Sequence, residues 1–259
     1  MKPIIIITTP RTGSTVVCEI LGNLLMQHNN CKNVLYEYFD VSVAFKCEYE
    51  LKDNILYIKD YVRFSGGNRW YKSQLDHITN QIIRLNNEYN YLIKYMPSMT
   101  EFGVAEMIDT FIMENYDIVY LERKDKLKQL ISYLGLTQTN IPHYTNKSDF
   151  PFYSKDKIQD RKIIYNPMET ALFVHNYQQY KKFKDTHISK YPVIYYEDFV
   201  ELGANDNALI DILQLPFKTF KPTNVSTVPT PYVESNVEDQ ILNKVDWLKD
   251  RERLLNALQ

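Results

Sequence analysis

At 259 residues, with 44% hydrophobic content and no internal repeat, the chain can bury one sizeable core, and it reads as a single domain over residues 1–259. Thirty Lys and Arg against 32 Asp and Glu leave a net charge of -2, which excludes a globally basic surface for nucleic acid or acidic membrane but not a local anion site. Cys18, Cys31 and Cys47 match neither a CxxC metal site nor a disulfide framework, and the apolar run Ile4 to Ile7 is too short for a signal-peptide core or a bilayer span, so the expectation is a cytoplasmic protein with reduced thiols and no membrane span.

Ile4 to Thr8 is a β-branched run ended by Pro10, Gly13 and Ser14. Beyond it Val16, Val17, Ile20, Leu21, Leu24 and Leu25 recur at helical spacing, which predicts strand, tight loop and helix. Residues 41–90 fit no simple alternation. They hold an amphipathic pattern at Leu75, Ile78, Ile82 and Ile83, preceded by a loop from Arg63 to Trp70. Tyr91 to Met96 predicts a second strand, and Ser98 with Glu101 forms a capping box for a helix to about Asn115. Asp117 to Leu121 predicts a third strand. Asp125 caps the next helix, which Gly135 is expected to end.

Residues 137–165 are polar and aromatic with scattered prolines. Long irregular connections are either lids and binding loops or disordered insertions; this stretch and residues 41–90 are expected as insertions on the acceptor side of a cleft. Asn166, Pro167 and Glu169 open a long helix to about His187. Pro192 to Tyr196 predicts a fourth strand, and a last helix is expected from Asn236 through Trp247, with Glu238 and Asp239 favourable to its dipole. Strands separated by helices imply an α/β fold with a P-loop-like, mostly parallel sheet flanked by helices and carrying irregular insertions.

The segment Thr9-Pro10-Arg11-Thr12-Gly13-Ser14-Thr15 stands where an α/β fold places an anion, between a strand's carboxyl end and a helix N-terminus. Gly13 permits close backbone approach, Ser14 and Thr15 offer hydroxyls, and Arg11 supplies a fixed charge. Taken alone, the segment also reads as an ordinary turn with a Ser cap. It lacks the Lys and the earlier glycine of GxxxxGK[ST], which disfavours an ATPase or kinase.

PRTGST resembles the 5′-phosphosulfate loop of sulfotransferases. Tyr120-Leu-Glu-Arg-Lys-Asp-Lys-Leu-Lys-Gln-Leu-Ile-Ser132 resembles that family's 3′-phosphate signature, an Arg at a strand end and a Ser on the following helix. The form RKDKLKQLIS and the segment Leu35-Tyr-Glu-Tyr-Phe39 look most like the bacterial trehalose 2-sulfotransferase-type branch. The resemblance covers residues 3–39 and 91–135, and loosely Val193 to Phe199; the basic C-terminal motif of the animal cytosolic enzymes is not recognisable in Lys221 to Glu234. It implies 3′-phosphoadenosine 5′-phosphosulfate as sulfuryl donor, bound by Arg11, Thr12, Gly13, Ser14, Thr15, Arg123 and Ser132, with a carbohydrate or other small-molecule acceptor.

Sulfuryl transfer asks for in-line positioning, charge stabilisation and a base for the acceptor hydroxyl. The resemblance implies Glu37 as that base, with Lys94 and Arg11 on the transferring group; Lys94-Tyr-Met-Pro97 has no His where some relatives carry one. Glu37 between aromatics also reads as an edge residue, and Lys94 as a solvated strand end. His28, His77, His143, His175 and His187 show no HxxxH or HExxH spacing, so no metal is implied; His143 is the reserve base. Glu197 and Asp198 read as helix-capping or surface residues before they read as site-orienting ones. Two other readings stand beside transfer of sulfate to a hydroxyl: a nucleotide or small-molecule kinase on a degenerate P-loop, and a non-catalytic module that binds the donor nucleotide. Oligomeric state is not indicated.

Overall fold

Ile4–Thr8, buried at every position, form the first strand of a computed structural model that describes residues 2–35, 39, 48–52, 55–59, 76, 78–85, 91–97, 102–139, 163–187, 191–216, 223, 238 and 241–258. The elements in chain order are β1 (Ile4–Thr8), α1 (Ser14–Gln27), β2 (Asn33–Leu35), β3 (Glu48–Lys52), β4 (Ile55–Lys59), a helical stretch α2 (78–85), β5 (Tyr91–Tyr95), α3 (Phe102–Asn115), β6 (Asp117–Glu122), α4 (Lys126–Thr139), α5 (Pro167–His187), β7 (Val193–Tyr195), α6 (Tyr196–Glu201), α7 (Asp206–Leu213) and α8 (Lys244–Leu258). Five strands make one sheet in the order β2-β5-β1-β6-β7, with every neighbouring pair parallel. The α/β architecture with a parallel sheet flanked by helices is therefore observed.

A central parallel strand is covered on both faces, which is why β1 is an uninterrupted run of isoleucines rather than an alternation. Ile5 and Ile7 join Ile93, Tyr95, Ile118 and Tyr120 on one face, packed by Phe111 and Ile112 of α3, Leu130 and Leu134 of α4, Phe173 and Tyr180 of α5, and Trp247 and Leu254 of α8. Ile4 and Ile6 join Leu92, Val119, Leu121 and Ile194 on the other, packed by α1, Phe199 of α6, and Ala208 and Leu209 of α7. The two side-chain faces also decide which helix each polar residue at the strand ends can reach.

Several boundaries depart from the sequence reading. Gly135 does not end α4, which runs on to Thr139. The extra turn is held from outside: the Ile164 N–H donates to Gln138 Oε1 at 2.9 Å, and Gln138 Nε2 donates back to the Ile164 carbonyl. The fourth strand stops at Tyr195, because Tyr196 opens a helix with Glu197 and Asp198 in its first turn. The last helix starts at Lys244, not Asn236. Glu238 instead receives Trp247 Nε1 at 2.8 Å and Arg251 Nη2 at 2.9 Å, so it clasps the side of α8.

The hairpin of β3 and β4 and the edge strand β2 are further additions. The hairpin falls within residues 41–90, where its sequence signal is Asp53-Asn54 between Tyr49-Glu-Leu51 and Leu56-Tyr-Ile58. In α2, Ile78 is fully buried while Ile83 is 51% exposed, so the amphipathic pattern holds in part. The capping pair Ser98 and Glu101, Leu75, the loop Arg63 to Trp70, residues 140–162 and all of Lys221 to Glu234 except Thr223 lie outside the described residues.

Candidate anion-binding site

The loop between β1 and α1 is built backbone first. Gly13, at the N-cap of α1, has φ 80°, and no side chain caps this helix. The first-turn N–H groups of a helix have no partner within it, so residues 14–16 present donors and the positive end of the helix dipole to the crevice. A Cβ on Gly13 would lie 2.1 Å from the Tyr196 ring, so glycine is required by both conformation and space. Arg11 also has positive φ, at 64°. That is strain for a side-chain-bearing residue, and it persists only where the surroundings over-determine it.

The hydroxyls sort by direction. Thr12 is fully buried, and its Oγ1 lies 2.6 Å from Thr8 Oγ1, which donates to the Leu121 carbonyl at 3.0 Å. The Thr12 side chain thus stitches the loop to the ends of β1 and β6, and what it offers an anion is its backbone. Ser14 is buried at the first position of α1, and Thr15 is half-buried.

The second motif begins where β6 ends. Arg123 is 7% exposed, stacks its guanidinium over the Tyr196 ring at 5.0 Å, and has Nε 3.9 Å from Glu197 Oε1. Glu197 also accepts from the backbone N–H groups of Lys124 at 2.9 Å and Asp125 at 3.4 Å, while Asp125 accepts from the Lys128 N–H at 2.8 Å. Both carboxylates therefore serve the start of α4, which is the capping role read for Asp125 and Glu197; Asp198 pairs with Lys124. On the opposite sheet face Glu122 takes Tyr180 Oη at 3.0 Å, Lys126 Nζ at 3.6 Å and the Lys184 ammonium. Burial lowers the Lys126 pKa, with Glu122 acting against it, and burial together with Glu122 pushes the Tyr180 hydroxyl up.

The two motifs meet. Arg11 Nε donates to Ser132 Oγ at 3.1 Å across 121 residues of sequence. One turn earlier on α4, the fully buried Gln129 donates from Nε2 to Thr9 Oγ1 at 2.8 Å and to the Pro10 carbonyl at 2.6 Å. The Tyr196 ring touches both motifs, at Gly13 and under the Arg123 guanidinium.

Lys94, paired in register with Ile6, is 3% exposed, so the solvated strand-end reading fails. It shares the α1 face of the sheet. The Cys18 thiol on α1 is pushed up to about 12 by burial, with the Lys94 charge acting against that rise. Glu37 and His143 lie outside the described residues, although Phe39 is fully buried against Tyr95 and Phe111. Among the described residues no group of three or more His, Cys, Asp or Glu is placed to hold a metal ion, and no helix is long and apolar enough to cross a membrane.

Sequence reasoning missed Gln129 and Tyr196. Gln129 precedes Ser132 by three positions, hence on the same helical face, which is a usable signal. Tyr196 has none beyond its place at a strand end.

No protein-family model matches the chain, and no curated protein matches it. Among solved structures, a sulfotransferase domain from the curacin biosynthetic pathway is similar at a TM-score of 0.42 and 14% identity, covering 84% of this chain and 75% of that one. At that distance the likeness adds nothing to the reading of the site.

Proposed function

We propose that this chain is a sulfotransferase that moves the sulfuryl group of 3′-phosphoadenosine 5′-phosphosulfate to a hydroxyl of a carbohydrate, glycolipid or small metabolite. The observation that supports it best is the hydrogen bond from Arg11 to Ser132, because it joins two anion motifs that the sequence separates by 121 residues. A ligand with anionic groups at both ends is what such a pair of motifs suits.

The residues fit the donor's chemistry. The uncapped start of α1, with Gly13, Ser14 and Thr15, suits the 5′-phosphosulfate, while Arg123 and Ser132 suit the 3′-phosphate. Lys94 and Arg11 supply positive charge for the transferring group and the leaving oxygen. The acceptor oxygen forms a bond to sulfur as the bond from sulfur to the 5′-phosphate oxygen breaks. The acceptor's proton passes to Glu37, and adenosine 3′,5′-bisphosphate leaves. The trehalose 2-sulfotransferase-type branch rests on RKDKLKQLIS and LYEYF in the sequence.

Thermal shift tests the reading directly, since a ligand at 100 times its Kd stabilises the native state by about 2.7 kcal/mol. Adenosine 3′,5′-bisphosphate should raise Tm without Mg²⁺, and more than ATP does at equal concentration. Stabilisation by Mg²⁺-ATP alone, with ATP turnover, overturns the reading in favour of a kinase. For the base, Glu37→Gln should leave bisphosphate affinity unchanged and lower turnover about 10²-fold or more. Normal turnover removes Glu37 from the chemistry and directs attention to His143.

A further inference from the structure

We infer that Gln129 is a positioning residue for the donor's 5′ end, holding the backbone of Arg11 from α4 while Ser132 holds its side chain. The inference rests on the sulfotransferase reading. Gln129 has no exposed surface, and a buried amide is costly unless its hydrogen bonds are made. Its Nε2 makes two, to Thr9 Oγ1 at 2.8 Å and to the Pro10 carbonyl at 2.6 Å. A carbonyl can only accept, so the nitrogen must face the loop and the amide cannot be flipped. Its Oε1 has no hydrogen-bond partner among the described residues. The two donated bonds are therefore what the buried side chain contributes.

The target of the shorter bond gives it meaning. The Pro10 carbonyl belongs to the peptide plane that leads into Arg11, so fixing that oxygen restricts the rotation that sets the Arg11 φ. That φ is 64°, a conformation a non-glycine residue keeps only under constraint. Three positions along the same helical face, Ser132 Oγ accepts from Arg11 Nε at 3.1 Å. One face of α4 therefore grips the anion loop by backbone and by side chain, and the helix that begins beside Arg123 also fixes the geometry of the 5′ subsite. Mutual placement of this kind is what near-attack geometry requires.

The test separates the two ends of the nucleotide. Titrate the full chain with adenosine 3′,5′-bisphosphate, adenosine 3′-monophosphate and adenosine 5′-monophosphate. The preference for bisphosphate over the 3′-monophosphate reports the 5′ subsite, and the preference over the 5′-monophosphate reports the 3′ subsite. Wild type should show both. Gln129→Met keeps the volume and removes the donors; it should cut the first preference about tenfold and leave the second within about twofold.

Gln129→Glu, which keeps the length and a polar group in the slot, should act in the same direction and is read if the Met variant fails to fold. A folded variant that retains both preferences, or loses both alike, overturns the positioning role, because a merely structural residue would not single out one end. Wild type that discriminates at neither end overturns the sulfotransferase reading, and the inference falls with it.

Discussion

Gly13 and Arg123 are joined by a ring. The Tyr196 side chain occupies the space a Cβ on Gly13 would need, and the Arg123 guanidinium lies over its ring. Gly13→Ala should therefore lower Tm by several degrees and abolish stabilisation by adenosine 3′,5′-bisphosphate, since it meets both a positive-φ penalty and a contact at 2.1 Å. Adding Tyr196→Ala should recover part of the Tm loss, and a strictly additive double-mutant cycle would refute the contact. With Arg123 holding the 3′-phosphate as proposed, Arg123→Ala should remove a charge-assisted bond worth roughly 1.5–3 kcal/mol, or about 10- to 150-fold in affinity. Its signature is selective: binding of adenosine 3′,5′-bisphosphate should fall towards that of the 5′-monophosphate. Unchanged discrimination between them in a titration would remove Arg123 from the 3′ subsite. Arg11, Gly13, Arg123 and Ser132 were legible because each stands in a local pattern of strand, turn and helix. Gln129 shows in the sequence only as a residue three positions before Ser132 on the same helical face, and nothing local names its partner, 120 residues away; Tyr196 meets Gly13 and Arg123 only through the tertiary fold.

Helix α5 shows how far element boundaries follow from short signals. Asn166 Oδ1 accepts from the Met168 N–H at 3.0 Å and the Glu169 N–H at 3.3 Å, and Pro167 takes the position where a missing N–H costs nothing. Asn166→Ala should cost about 1 kcal/mol, measured as a shift in denaturant midpoint without a change in slope. Its start was readable for that reason. The end of α4 was not, because Gln138 binds a segment 26 residues further on and carries the helix past a glycine that would otherwise stop it. The three-residue edge strand β2 is too short for any periodicity, whereas α7 had a signal in its Asn205 cap, whose side chain accepts from the Ala208 N–H at 3.1 Å. Also on α5, burial holds the His175 pKa below its ordinary value. The unfolded chain then takes up this proton first as pH falls through about 6.5, so stability is lost with acidification until the lower folded pKa is reached. His175→Gln should flatten the decline of Tm between about pH 7 and 5.5, and a parallel decline in both proteins would show that the ring titrates normally.

For the whole molecule, the decisive feature is that β1 sits between β5 and β6. The order places the loop after β1 beside the end of β6, so the two segments proposed to hold the donor's anionic groups open onto the same carboxyl edge, where α/β sheets bind ligands. The same order has a consequence for biosynthesis. A strand of four isoleucines and a threonine, buried on both faces in the finished fold, has no neighbour to pair with when it leaves the ribosome. Its inner partners arrive much later: Thr8 and the Leu121 carbonyl it binds are 113 residues apart. At about 5–20 residues per second that is a wait of roughly 6 to 23 seconds for an apolar, uncharged segment with the marks of a self-associating strand. Nascent chains arrested before residue 117 should aggregate or recruit holding chaperones, and those carrying β6 clear of the exit tunnel should escape. The isoleucines that make the centre of this sheet dry thereby expose the chain to its greatest hazard while it is still being made.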